Sequence, residues 1–394
     1  VLLIHLLNLG VLLTSAWALE RNTWRRWLVP GLLLGLSTLT RPNVVIWAVF
    51  LIAWMALRAR EQRRPLRAAA APALALLLMT AAAVAPATIR NLVVLGEPMI
   101  TVAQGGTNFY LGNARGATGV HRPFGELGLS ASRQIRHFKA AAERRLGRTL
   151  TYGEASRYWF GQALEDIEQD PSRWWNLLMD KLLLFFNRYE YTGSINPNAV
   201  REFTPVLRLP WLHFGIVGPL ALLGLFFLWR RWRPLLPLFG LLAIYAFSNV
   251  ALLVSSEYRY AIMPAAFVLA GAAGRELFHR IRRRQWPELA LGGALLALFA
   301  FLCNVEVLGT EAREYHMATA HVNFAGMLGK QDMHRRAAEE YSMAKELLGH
   351  APAHVAHLAH MEGEAYLKAG LYRRGLRALR EAYGLSGNDA EIVN

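Results

Sequence analysis

Residues Leu28–Leu57 read LVPGLLLGLSTLTRPNVVIWAVFLIAWMAL, and the way this stretch meets a bilayer decides the fold. A helix of about 20 apolar residues spans the hydrocarbon, so the run is long enough for one helix with surplus or for two short ones. Proline disfavours helical backbone at the residue before it, which marks a break at Arg41-Pro42. Charge supplies the second argument. The basic clusters Glu20–Arg26 and Arg58–Arg67 flank the run, and a single crossing would leave them on opposite sides of the membrane. Lysine and arginine concentrate in cytoplasmic loops. The sequence therefore predicts a hairpin of two short helices, turning at Thr40-Arg41-Pro42-Asn43.

Outward from the hairpin, Val1–Leu19, Ala68–Ala87, Val206–Trp229, Leu235–Val254, Tyr260–Phe278 and Pro287–Val305 are each apolar and long enough to span. With the hairpin they make eight membrane-embedded segments, two of them short. The chain is 54% hydrophobic with a net charge of +15. Four clusters between apolar runs, Glu20–Arg26, Arg58–Arg67, Arg230–Arg233 and Arg275–Arg284, hold sixteen Arg against Glu20, Glu61 and Glu276, or +13 of that total. Arginines at membrane margins are topology signals rather than a patch on a soluble domain, so nucleic acid is excluded as a partner. The lipid bilayer is the partner instead. All four clusters fall inside; residues 96–203 and the tail fall outside.

The expected organisation is an all-α polytopic membrane protein in four parts. Residues 1–95 hold membrane helices, with the hairpin at 28–57. Residues 96–203 form an extracytoplasmic insertion with amphipathic helices. Residues 204–305 hold four more membrane helices, and 306–394 a helical repeat tail. The chain opens inside an apolar helix without the charged start of a signal peptide, and reads as a piece of something longer. Cys303 is the only cysteine, so a disulfide or cysteine-based zinc site within one chain is excluded.

In the insertion, Thr151 and Glu154 form a capping box that starts a helix ending before Pro171. Ser172–Arg188 is apolar and aromatic, but Asp180 and Lys181 sit near its middle, where a charge inside the bilayer is costly. It is expected to lie in the interface, with Trp174 and Trp175 at headgroup level. In the tail, Ala337, Tyr341 and Ala344 repeat as Gly375, Leu379 and Ala382, preceded by Gly363, Tyr366 and Gly370. The pattern resembles tetratricopeptide repeats of ~34 residues, stretched by an insertion around His350–His354. His354, His357 and His360 share a helical face with no carboxylate or cysteine to complete a ligand set, and no metal site is assigned.

Arg41, Arg90 and Arg259 fall at the outer membrane boundary, against the inward trend of the other arginines, together with Asn43, Asn91, Glu190 and Glu257. A guanidinium presents a fixed fork of donors that matches phosphate oxygens. In the insertion, glycines bracket Asn108, Tyr110 and Asn113 in Gly105-Gly106-Thr107-Asn108-Phe109-Tyr110-Leu111-Gly112-Asn113. These are neutral hydrogen-bonding groups suited to hydroxyl-rich molecules. A phosphate on a lipid, with a hydroxylated headgroup outside, fits both sets. An ordinary turn-rich loop and snorkelling anchors are the plain alternatives.

These motifs, with Leu39-Thr40-Arg41-Pro42-Asn43, Thr88-Ile89-Arg90-Asn91, Asn187-Arg188-Tyr189-Glu190 and Glu257-Tyr258-Arg259-Tyr260, resemble the GT-C class of integral-membrane glycosyltransferases. Glycosyltransferase family 39 and the bacterial protein mannosyltransferase-like proteins are the nearest in pattern, over about Val1 to Arg284. The resemblance implies a bacterial inner-membrane enzyme. Such an enzyme moves a sugar from a polyprenyl-phosphate donor to an extracytoplasmic acceptor, with no cofactor assigned and a divalent metal left open. Arg41, Arg90 and Arg259 would hold the donor phosphate. Asn43, Asn91, Asn108, Tyr110, Asn113, Glu190 and Glu257 would hold sugar or acceptor. The family's catalytic Asp follows its first membrane helix and is expected upstream of Val1, so no catalytic residue is assigned and this piece alone is expected to be inactive. An O-antigen ligase or polymerase-like enzyme shares the outward loops and lipid-phosphate substrates. A non-enzymatic scaffold would use the tail to recruit a protein or glycan partner.

Overall fold

The structure, a computed structural model, describes residues 2–97, 99, 104–120, 134–192, 196–197, 200, 204, 206, 213–349 and 352–386. Val1, Phe203, His350, Asn394 and most of the early part of the Val206–Trp229 run lie outside the described residues. Among those described, the secondary structure is helical, with a single isolated bridge between Val120 and Val254. The chain falls into two units. One takes in the described residues through Tyr189 and those from His213 to Val305; the other takes in Glu190 to Val206 and the residues from Glu306 onward.

The first unit is a multi-pass membrane bundle. Among the described residues, six helical stretches are long and apolar enough to cross: Leu2–Arg21, Pro42–Glu61, Leu66–Val94, Phe214–Arg231, Ser256–Arg282 and Trp286–Asn304. Their regular parts are α1 (Leu2–Arg21), α3 (Trp47–Glu61), α4 (Ala70–Leu95), α9 (Phe214–Leu228), α11 (Met263–Arg282) and α12 (Trp286–Asn304). Two shorter apolar helices, α2 (Leu28–Thr40) and α10 (Leu236–Ala251), complete the set. The break expected at Arg41-Pro42 is present: α2 ends at Thr40, and Arg41 is extended at φ −147°, ψ 105°. The two halves are not equally short, however. Proline is well placed at the first position of a helix, so Pro42–Ile46 opens a 3-10 turn that runs straight into α3. The second half therefore reaches span length.

Two glycines one turn apart on α2 fix its partner. A Cβ on Gly31 would lie 2.5 Å from the Leu76 carbonyl oxygen, and one on Gly35 would lie 2.5 Å from Ala83 Cβ and 2.7 Å from the Thr80 oxygen. Small residues at this spacing let membrane helices approach backbone to backbone, and Thr80 Oγ1 donates to the Gly31 oxygen across the seam at 3.1 Å. Numbers rise together along both helices, so α2 and α4 run parallel. α1 runs the other way beside α2: Asn8, in its N-terminal half, accepts a bond from Ser37 near the C-terminal end of α2. At the far end, Glu20, Arg58, Glu61 and Arg233 line one cavity of about 200 Å³. Three of the four basic clusters thus share an end of the bundle, as the hairpin requires. Leu2, Leu6, Leu9, Leu13 and Trp17 cover the outer face of α1, while Asn8, Val11 and Ser15 are buried on its inner face.

Four helices of the insertion also belong to this unit: α5 (Gly105–Asn113), α6 (Gln134–Leu146), α7 (Tyr152–Gln169) and α8 (Pro171–Phe186). The capping box is formed, with Glu154 N–H donating to Thr151 Oγ1 at 3.2 Å and Thr151 N–H donating to the Glu154 carboxylate at 2.8 Å. Glu97 adds a second carboxylate at the same helix start, accepting from Thr151 Oγ1 and Gly153 N–H. On α8, Trp175, Met179 and Leu182 form an exposed apolar stripe. Trp174 departs from the expected Trp pair, because its indole N–H turns inward to Asn113 Oδ1 at 2.9 Å.

The second unit contains α13 (Thr310–Gly329), α14 (His334–Leu347), α15 (Pro352–Lys368) and α16 (Tyr372–Ser386). Its two helical hairpins turn in the same way. Asp332 and Gly370 both take left-handed conformations, at φ 58° and 75°. Met333 N–H donates to the Leu328 oxygen as Leu371 N–H donates to Tyr366, and Ala337 N–H to Met333 as Gly375 N–H to Leu371. Gly363 and Gly375 let α15 and α16 close together, a Cβ on either lying about 3 Å from the other's carbonyl oxygen. Lys345 on α14 joins Glu362 on α15 at 2.8 Å and Glu381 on α16 at 2.7 Å.

Candidate functional site

Most of the candidate residues fall in two places in the first unit. One is the bundle end opposite the basic clusters, built around the turn between α10 and α11. Ser256–Arg259 form one turn of helix and Tyr260–Ile262 a 3-10 turn leading into α11. Asn249 on α10 pins the entry, its Oδ1 accepting from Ser255 N–H at 3.2 Å. α1 pins the exit. His5 Nε2 meets the Tyr260 carbonyl oxygen at 2.5 Å, and Asn8 Nδ2 donates to the Ala261 oxygen at 3.3 Å. Asn8 also donates to Tyr245 Oη at 3.5 Å while accepting from Ser37 Oγ at 2.7 Å. Buried polar groups in a membrane bundle need partners, and this network gives them partners while tying α1, α2, α10 and the turn together.

Arg41 lies on this turn. The break after α2 swings it out of the helix; its guanidinium stacks over the Tyr258 ring at 4.1 Å and stands 3.9 Å from Glu257 Oε2. Its side chain is 28% exposed and that of Glu257 27%, so the pair meets the surroundings. Asn43, one residue past Pro42, is half-buried. Arg259 behaves differently from Arg41. It is 2% exposed, its Nη1 donates to the carbonyl oxygens of Phe185 at 2.9 Å and Asn187 at 2.6 Å, and it stacks over Phe214 at 4.1 Å. Nη1 is thus turned to the main chain at the end of α8. That chain is held from the other side too, by Asn187 Nδ2 to the Val305 oxygen at 2.7 Å and Arg188 N–H to the Cys303 oxygen at 2.8 Å. The geometry makes Arg259 an anchor of the site's wall rather than a group facing a ligand.

The second place is the Gly-Asn-Tyr helix α5, and the structure explains its glycines by packing. A Cβ on Gly112 would sit 1.8 Å from the Leu252 oxygen, and one on Gly106 would sit 1.8 Å from the Ser156 oxygen. Asn113 is fully buried. Its Nδ2 donates to the oxygens of Phe109, Ala251 and Leu252, and its Oδ1 accepts from Trp174 Nε1 and from Lys181 Nζ at 2.7 Å. Carbonyls at a helix C-terminus lack intrahelical partners, and Asn113 with Lys181 satisfies those at the end of α10. Lys181 is itself buried, and burial, aided by nearby Arg173, brings its ammonium down to about 7. The Tyr110 ring packs against Trp159 at 4.6 Å, and burial raises its phenol above the ordinary range. Asn108 is half-buried on the same helix. α5 thus docks the insertion onto the bundle, and Asn113 has no hydrogen-bonding capacity left facing outward.

Arg90 is exposed near the end of α4 and donates to Asn91 Oδ1 at 3.1 Å; Asn91 is buried and donates to the Met99 oxygen at 2.9 Å. Glu190 belongs to the second unit and is buried there. Of the residues singled out in the sequence, the structure therefore unites Arg41 with Glu257 and sets Arg259 behind them. His5, Asn8, Tyr245 and Lys181 were missed. The first two had a readable signal, being polar residues within a spanning helix, where such groups are costly. A groove of about 520 Å³ beside α8, lined in part by Gly116, Arg173 and Asp180, lies apart from Arg41.

Compared with known proteins, the chain matches no family model, no curated protein and no solved structure.

Proposed function

We propose that the bundle end carrying Arg41 and Glu257 binds the phosphate of a lipid-linked sugar, and that the protein serves sugar transfer on the extracytoplasmic side, as a GT-C-like membrane glycosyltransferase. One observation carries the reading: a partly exposed arginine set at a helix break, at the end of a membrane bundle from which the basic clusters are absent. A snorkelling anchor needs no carboxylate and no aromatic platform. Arg41 has both, and the carboxylate stands at 3.9 Å, near the limit of an ion pair. A phosphate oxygen is a better match for the guanidinium fork than a carboxylate at that range. In transfer, an acceptor hydroxyl forms the new bond to the anomeric carbon and gives up its proton to a base, while the bond from that carbon to the phosphate oxygen breaks and the lipid phosphate keeps the electron pair. Arg41 would stabilise that charge, an electrostatic contribution that grows toward the transition state. Asn43 and Arg90 stand in the same boundary zone on neighbouring helices and are assigned to the headgroup.

The test is binding, which does not depend on turnover. The full chain in lipid nanodiscs is titrated with a long-chain polyprenyl phosphate. Wild type binds saturably, and Arg41→Ala weakens binding by at least tenfold while Arg41→Lys recovers part of it. Equal affinity for wild type and Arg41→Ala sinks the proposal.

A further inference from the structure

We infer that His5 is the hydroxyl-recognising member of this site, its Nδ1 accepting a hydrogen bond from the sugar or acceptor hydroxyl of a lipid-phosphate ligand. The inference rests on the proposed function and names the second half of its ligand.

Three observations meet on His5. First, register places it. The bond between Asn8 and Ser37 aligns antiparallel α1 and α2; His5 lies about one turn outward from Asn8, and Arg41 one turn outward from Ser37. Second, both groups converge on one short turn, Arg41 through Glu257 and Tyr258 and His5 through Tyr260. Third, the chemistry of that contact fixes the tautomer. A carbonyl oxygen only accepts, so Nε2 carries the proton it donates to Tyr260, and Nδ1 is the ring nitrogen left to accept from a ligand hydroxyl. Among the described residues Nδ1 makes no hydrogen bond, and it is absent from the buried polar atoms left without a partner. His5 itself is half-buried rather than enclosed. Arg41 supplies donors for an anion, and a hydroxyl needs an acceptor beside them. Glu257 stands beside Arg41, and His5 offers an acceptor nitrogen at the same turn.

Two probes separate this inference from the reading beneath it: a long-chain polyprenyl phosphate, and the same lipid carrying mannose on the phosphate. The full chain in nanodiscs is titrated with each, and the quantity of interest is the ratio of the two affinities. Arg41→Ala should weaken both probes and keep the ratio. His5→Phe should cut the ratio about fivefold, the worth of one neutral hydrogen bond, and His5→Gln, which still offers an N–H and an acceptor oxygen, should keep most of it. In the wild-type chain the His5 Nδ1 resonance should shift with the mannosylated probe and stay put with the bare one. This measurement needs no folded variant. Equal weakening of both probes by His5→Phe would show a residue that only holds the turn and would overturn the inference, as would an unmoved ratio and resonance. Failure of wild type to bind either probe would refute the phosphate reading and the inference together.

Discussion

At the residue scale, the arginines at the bundle end opposite the basic clusters show how one side-chain type serves different purposes. Sequence treats Arg41 and Arg259 alike, because both follow apolar runs and both neighbour a polar motif. Burial divides them: Arg259 spends its donors on the carbonyls of Phe185 and Asn187, whereas Arg41 keeps a partly exposed fork. Removing a charged donor from two buried carbonyls costs roughly 2–3 kcal/mol, so Arg259→Ala should lower the thermal unfolding temperature of the detergent-solubilised chain well below that of Arg41→Ala. Comparable unfolding temperatures would contradict the assignment of Arg259 as an anchor. Lys181 yields a pH prediction. Burial lowers its pKa from the ordinary 10.5 to about 7, so between those values the unfolded chain holds a proton that the folded chain has shed. Stability then rises with pH across that window and is flat below it. Unfolding measured from pH 6 to 10 should show that rise in wild type and lose this component in Lys181→Met.

At the element scale, glycines separate positions that sequence could not rank. Gly105 and Gly106 are adjacent and look equivalent. Yet nothing lies within 4 Å of a Cβ at Gly105, whereas one at Gly106 would strike the Ser156 carbonyl. Gly105→Ala should be neutral or slightly stabilising, by a few tenths of a kcal/mol. Gly106→Ala and Gly112→Ala should each cost about 1–3 kcal/mol through overpacking, read from the same unfolding curves. The seam of α2 on α4 makes the parallel case in the membrane, where Gly35→Leu should destabilise far more than Leu36→Ala on the exposed face. The break at Arg41-Pro42 and the Thr151 capping box were legible because each is set by two or three neighbouring residues. The length of the second hairpin helix was less so, since proline both ends one helix and starts the next. The purpose of α5 was not legible at all. Its Asn-Gly-Tyr composition suits a ligand loop, and only the approach of Leu252 and Lys181 from distant segments reveals a docking helix.

At the scale of the whole molecule, charge carried more information than hydropathy. The arginine clusters, read as one end of a bundle, predicted that α2 and α3 form a hairpin, and Glu20, Arg58, Glu61 and Arg233 do meet at one cavity. What charge could not supply was the polar network of His5, Asn8, Ser37, Tyr245 and Asn249, because its members come from three helices far apart in the chain. Each looks like an isolated blemish in an apolar run until the helices are assembled. Their convergence on the turn that bears Glu257 is why the proposed recognition of a lipid-linked headgroup is assigned to that bundle end. The most direct test is to map the contact. A polyprenyl phosphate carrying a photoreactive group next to the phosphate is bound to the full chain in nanodiscs, crosslinked, and located by peptide mass spectrometry. The account predicts adducts on the peptides containing Arg41 and Glu257–Tyr260, competed away by unlabelled lipid phosphate and lost in Arg41→Ala. Adducts confined to the basic end around Arg58 and Arg233, or spread evenly along the lipid-facing helices, would contradict it.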